Sequence, residues 1–148
     1  MLDLPGIAGI RRRLKTPKER DGAELELDFL TCAAREGLKP EILESPDCRI
    51  WVGGRPVYVE IRYRSAPVTL RTLRQEAGQL SRAEAESEPA VILLGGPGPV
   101  PLLLVQQALR EIPFLTAVVL WSTPLTVVSR QSTLRGMPLG KALRAALD

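Results

Sequence analysis

The chain has 148 residues, enough for one domain with a real core: 45% are hydrophobic, yet only 4% are aromatic, so that core must be built from Leu, Val, Ile and Ala. Charged residues make up 25% and the net charge is a mild +3. Histidine is absent; this excludes His-based acid–base chemistry, serine–histidine triads and His-ligated zinc, and leaves carboxylates, Lys, Arg, Ser, Tyr or a hard metal ion for any chemistry.

No apolar run approaches the ~18 residues of a membrane helix, so no membrane association is expected. In "MLDLPGIAGIRRRLK" the bases follow the apolar stretch, the reverse of a secretory signal, and a cytoplasmic location is expected. Cys32 and Cys48 suggest no disulfide framework. Charge comes in blocks. Residues 1–20 hold Arg11, Arg12, Arg13, Lys15, Lys18 and Arg20 against two acids, residues 21–47 are acidic, and residues 49–82 are again rich in arginine. Such basic blocks suit a polyanion or a plain solvated surface.

In chain order, residues 1–21 read as a basic, partly disordered arm. "GAELELDFLTCAAREG" (22–37) has Leu25, Phe29, Cys32 and Ala33 at helical spacing and a terminating Gly37. "EILES" is a short strand candidate. "CRIWV" and "RPVYVEIRYR" are β-rich runs joined at Gly53-Gly54, which signals a hairpin. "PVTLRTLRQEAGQLSRAEAE" (67–86) reads as a helix with Leu70, Leu73, Ala77 and Leu80 on one face. "PAVILLGG" reads as a buried parallel strand, "PVPLLLVQQALREI" as a helix, and "FLTAVVLWS" as another buried strand; "LTVVS" and "LGKALRAALD" complete the chain as strand and helix. The glycine-rich "LLGGPGPVP" lacks the Lys-Ser/Thr of a phosphate loop and reads as a strand-to-helix turn. The expected fold is an α/β domain over residues 22–148, a mixed sheet flanked by helices in the order αβββαβαβ.

Alternation along 56–65 places Val57, Val59, Ile61 and Tyr63 on one face of a strand and Tyr58, Glu60, Arg62 and Arg64 on the other. A two-residue turn at Gly53-Gly54 brings Asp47 near Glu60. Two carboxylates meeting there make a hard-oxygen site for Mg²⁺ or Mn²⁺, and a base beside them can hold a phosphate. The bland alternative is a solvent-facing Glu–Arg ladder on an edge strand.

The stretch "SPDCRIWVGGRPVYVEIRYR", with its Asp, hairpin and Glu-x-Arg, resembles the PD-(D/E)XK nuclease superfamily, and more closely its restriction-endonuclease-like domains of the Mrr type. "VEIRYRSAPVTLRTLRQEAGQL" follows that family's strand-to-helix layout, and the likeness runs in order over residues 22–121. The resemblance implies a metal-dependent endo- or exonuclease acting on DNA, with Asp47 and Glu60 as metal ligands and Glu26, or failing it Glu24, as the helical acid of the site. Gln75 or Gln79 would face the site from the following helix. The departure is Arg62, where the family has lysine. An arginine keeps phosphate binding and charge stabilisation but cannot serve as a base. Arg64 would add a phosphate contact, and Arg11, Arg12, Arg13, Arg71 and Arg74 would grip nucleic acid. Two alternatives stay open: a catalytically degenerate nuclease fold that binds DNA, and an interaction module, a homodimer or partner of another protein, using strand 115–121 and helix 101–112.

Overall fold

The computed structural model describes residues 2–81 and 87–148. Seven strands form one sheet in sequence order: β1 (Glu41–Ile42), β2 (Cys48–Val52), β3 (Arg55–Tyr63), β4 (Ala90–Gly95), β5 (Leu115–Leu120), β6 (Thr126–Ser129) and β7 (Thr133–Arg135). β1, β2 and β3 are antiparallel, β3, β4 and β5 are parallel, and β5, β6 and β7 are antiparallel again. Five helices are described: α1 (Ile7–Arg13), α2 (Arg20–Arg35), α3 (Leu70–Ser81), α4 (Leu102–Glu111) and α5 (Leu139–Leu147). The molecule is thus an α/β protein with a mixed sheet covered on both faces.

Each face has its own apolar layer. α1, α2 and α5 bring Ile7, Ile10, Phe29, Leu30, Leu139 and Leu143 against Val57, Val59 and Ile61 of β3 and Leu93 of β4. α3 and α4 bring Leu73, Ala77, Leu80, Val105 and Leu109 against Tyr58, Ile92, Leu94 and Val118. β3 therefore alternates as its sequence predicts, but both of its faces are buried. The Glu60 face is roofed by α3, so the solvent-facing edge ladder does not exist.

Local chemistry explains the joints. Gly53 and Gly54 have φ of 59° and 80°, the doubly left-handed pair of a type I′ turn. That turn pairs Val52 with Arg55 and Cys48 with Val59. The Thr69 hydroxyl accepts the Thr72 N–H at 3.2 Å and starts α3. Between β4 and α4 the glycine-rich segment is a turn; a Cβ on Gly96 or Gly98 would collide with the backbone carbonyls of Arg64 and Ala66.

Three expectations change. Residues 7–13 are a helix with Ile7 and Ile10 in the core, where a partly disordered arm was expected. Strand 115–120 lies between β4 and β6 under helices, so it offers no free face for a dimer. A seventh strand, β7, extends the sheet. The end of the expected helix 67–86, from residue 82 on, lies outside the described residues. Among the described residues no helix is long and apolar enough to cross a membrane.

Candidate functional site

The hairpin register carries the site. Continuing it one step past Cys48–Val59 sets Asp47 opposite Glu60, but the chain turns away toward β1 there, and the Asp47 carbonyl accepts the Leu43 N–H instead. This leaves the edge of β3 that faces β2 without a ladder partner just where Asp47 arrives. The Asp47 carboxylate fills the gap: its Oδ2 accepts the Ile61 N–H at 2.7 Å. Asp47 and Glu60 thus meet, as the sequence predicts, at the point where β2 leaves β3.

Glu60 is 8% exposed. Burial first, then a hydrogen bond with Asp47 and the charges of Asp47 and Glu76, push its carboxyl up to about 9, with Arg62 pulling the other way. At neutral pH Glu60 therefore keeps a proton and can donate it to Asp47. Next to them the Cys48 thiol is buried and held well above its usual range, first by burial and then by the charges of Asp47, Glu26 and Glu60. It is no nucleophile.

Glu26 projects from α2 into this neighbourhood, and both of its oxygens are taken by Arg13 of α1, at 2.6 and 3.1 Å. Arg62 donates from Nε to Glu76 Oε1 at 2.8 Å. Glu76 is the residue that sequence reasoning missed. The signal was present: Glu76 lies three residues after Leu73 and four before Leu80, on the helix face assigned to the core. Its side chain is 5% exposed, and its Oε2 is buried with no hydrogen-bond partner among the described residues.

Arg13, Lys18, Glu26, Arg62 and Tyr63 line a groove of about 580 Å³ between the α1–α2 turn and the end of β3. Asp47 and Glu60 are not in its wall; Ile61, whose N–H binds Asp47, is. Other expected contacts lie elsewhere. Arg11 donates to the Leu2 carbonyl. Arg12 and Arg71 are exposed outside the groove wall. Arg74 pairs with Glu111 of α4 at 2.7 Å. Arg64 is half-buried, with an unpartnered Nε, and is not in the wall either. Gln75 is exposed, Gln79 accepts the Ser45 hydroxyl at 3.4 Å, and Glu24 is exposed.

Among the described residues no three acidic or thiol side chains are arranged to hold a metal ion. Arg13 occupies Glu26, and Arg62 occupies one oxygen of Glu76. What remains is the Asp47–Glu60 pair. Two carboxylates suit Mg²⁺ or Mn²⁺, which commonly bind one or two and keep waters or substrate phosphate for the rest.

No protein-family model matches the chain, and no curated protein and no solved structure matches it significantly. The class is set by the fold alone: an α/β protein with a seven-stranded mixed sheet.

Proposed function

We propose that this chain is a restriction-endonuclease-like domain of the PD-(D/E)XK type that hydrolyses DNA phosphodiester bonds with Mg²⁺ or Mn²⁺. The observation that carries the reading is the meeting of Asp47 and Glu60 where β2 parts from β3, with Asp47 Oδ2 accepting the Ile61 N–H and Arg62 two residues beyond Glu60. The strand order up to β5, antiparallel through β3 and parallel from there, supports the same reading.

Asp47 and Glu60 are the residues that would hold the ion. Its chemistry would be to lower the pKa of bound water and offset charge on the phosphate. Glu60 must first give up its proton, and Asp47 must keep its grip on the Ile61 N–H, which orients its carboxylate. Arg62 presents a guanidinium to a backbone phosphate in the groove and stabilises charge that develops there. Lys18 lines the same wall, beside the acids Glu19 and Asp21.

Supercoiled plasmid incubated with Mg²⁺ or Mn²⁺ tests this. Nicking that disappears in both Asp47→Ala and Glu60→Ala supports the reading; equal nicking by wild type and both variants assigns it to a contaminant and overturns it.

A second reading, a degenerate nuclease fold that binds DNA without cutting it, is favoured by Arg62 itself, which cannot act as a base. Salt-dependent DNA binding without cleavage, together with cleavage gained by Arg62→Lys, would establish that reading instead.

A further inference from the structure

Glu76 is a poor choice for packing. It sits on the α3 face that carries Leu73, Ala77 and Leu80. One of its oxygens is buried without a hydrogen-bond partner among the described residues. A methionine or leucine there would extend the apolar layer, and the usual cost of removing one partner of a buried pair, a stranded buried charge, does not arise where the other partner can be solvated. Nor is Glu76 needed to neutralise a buried cation, because the Arg62 side chain is 49% exposed and water can solvate it. The pair joins a buried acid to an exposed base.

The geometry of the bond shows what the acid does. Glu76 takes Arg62 by Nε, the inner nitrogen of the guanidinium. The two terminal nitrogens make no hydrogen bond to a described residue, and Arg62 stands in the groove wall with Arg13, Lys18 and the acids Glu19, Asp21 and Glu26. Arg13 is spent on both oxygens of Glu26, so the fork left open in that wall belongs to Arg62. An arginine held at Nε offers a fixed pair of donors matched to two phosphate oxygens. A lysine held by Glu76 would have no such planar second edge.

We infer that Glu76 is a positioning residue: it holds the Arg62 guanidinium by Nε so that its terminal edge receives a backbone phosphate of nucleic acid in the groove. The inference rests on the nuclease-like reading and goes further by naming the residue that makes an arginine, in place of lysine, serve there.

The test is a double-mutant cycle read by anisotropy of a short fluorescent DNA duplex, in Ca²⁺ and low salt, with thermal melting of each protein. Glu76→Met is expected to melt no lower than wild type yet bind the duplex about tenfold more weakly, the scale of one charge-assisted contact. Glu76→Gln, which keeps an acceptor at Nε, is expected to fall between. In an Arg62→Ala background Glu76→Met is expected to add no further loss. Equal losses with and without Arg62, or wild-type affinity in Glu76→Met, overturn the inference. Should Glu76→Met not fold, Glu76→Gln binding like wild type overturns it, and a Glu76→Gln loss that disappears in the Arg62→Ala background sustains it. Wild type that fails to bind the duplex overturns the nucleic-acid reading as well, whereas binding indifferent to Glu76 overturns only the role given to that residue.

Discussion

Glu60 is the residue whose state sets the behaviour of the site. Its carboxyl, ordinarily near 4.5, holds its proton to about 9 because it is buried beside Asp47. The folded chain therefore keeps a proton that the unfolded chain releases. Glu60's contribution to stability is complete below the unfolded pKa and is lost as pH rises through the window from 4.5 to about 9. Glu60→Gln, which stays neutral, is expected to flatten that part of the stability–pH curve in urea melts; an unchanged slope would show that Glu60 does not hold the proton. The same proton competes with a cation. Apparent Mn²⁺ affinity is expected to climb by up to about tenfold per pH unit below the Glu60 pKa, one proton leaving for each ion bound. Calorimetry in buffers of different ionisation enthalpy measures that release, and pH-independent affinity would contradict it. Asp47 opposite Glu60 was legible from spacing alone, since a two-residue turn leaves no freedom in the pairing. The partners of Glu26 and Glu76 were not, because each ion pair joins residues thirteen or fourteen apart in different elements.

At the scale of elements, the hairpin turn is the part on which the site depends. Gly53 and Gly54 both need left-handed backbone. Gly54→Ala meets no neighbour and is expected to lose about 1 kcal/mol through its φ of 80° alone, measured by urea unfolding. One residue inserted between them moves β2 by one position and sends its side chains to the opposite face. That insertion is expected to abolish Mn²⁺ binding, and retention of binding would show that the register does not assemble the site. α5 offers a control remote from the chemistry. It begins after Pro138 without a cap of its own, and the Glu36 carboxylate accepts the Leu139 and Gly140 N–H groups at 3.1 and 2.7 Å. Glu36→Ala is expected to lose about 1 kcal/mol of stability and leave DNA binding unchanged. Strands β2 to β6 were legible because each is a compact β-rich run bounded by glycine, proline or polar residues. β7 was not, since Thr133–Arg135 is too short for a period and exists only because β6 supplies its ladder.

At the scale of the molecule, the sheet is closed on both faces and ends in short edges, a two-residue β1 and a three-residue β7. α1 belongs to this architecture. Its charge and glycines hid it in the sequence, but Ile7 and Ile10, three apart, are 4% and 3% exposed, and Gly6 packs against Ile42. Ile10→Ala is expected to lose about 3 kcal/mol, as for other large-to-small changes in a core; a loss under about 0.5 kcal/mol, the range of surface substitutions, would mean that α1 is not docked. Docking α1 also delivers Arg13 to Glu26 and so closes one wall of the groove. The proposed function puts one divalent cation between Asp47 and Glu60. The most direct test is an anomalous difference map from a crystal of this protein soaked in Mn²⁺ at alkaline pH. The account predicts a peak in contact with both carboxylates; a map with no peak there, or with Mn²⁺ bound only at other residues, would contradict it.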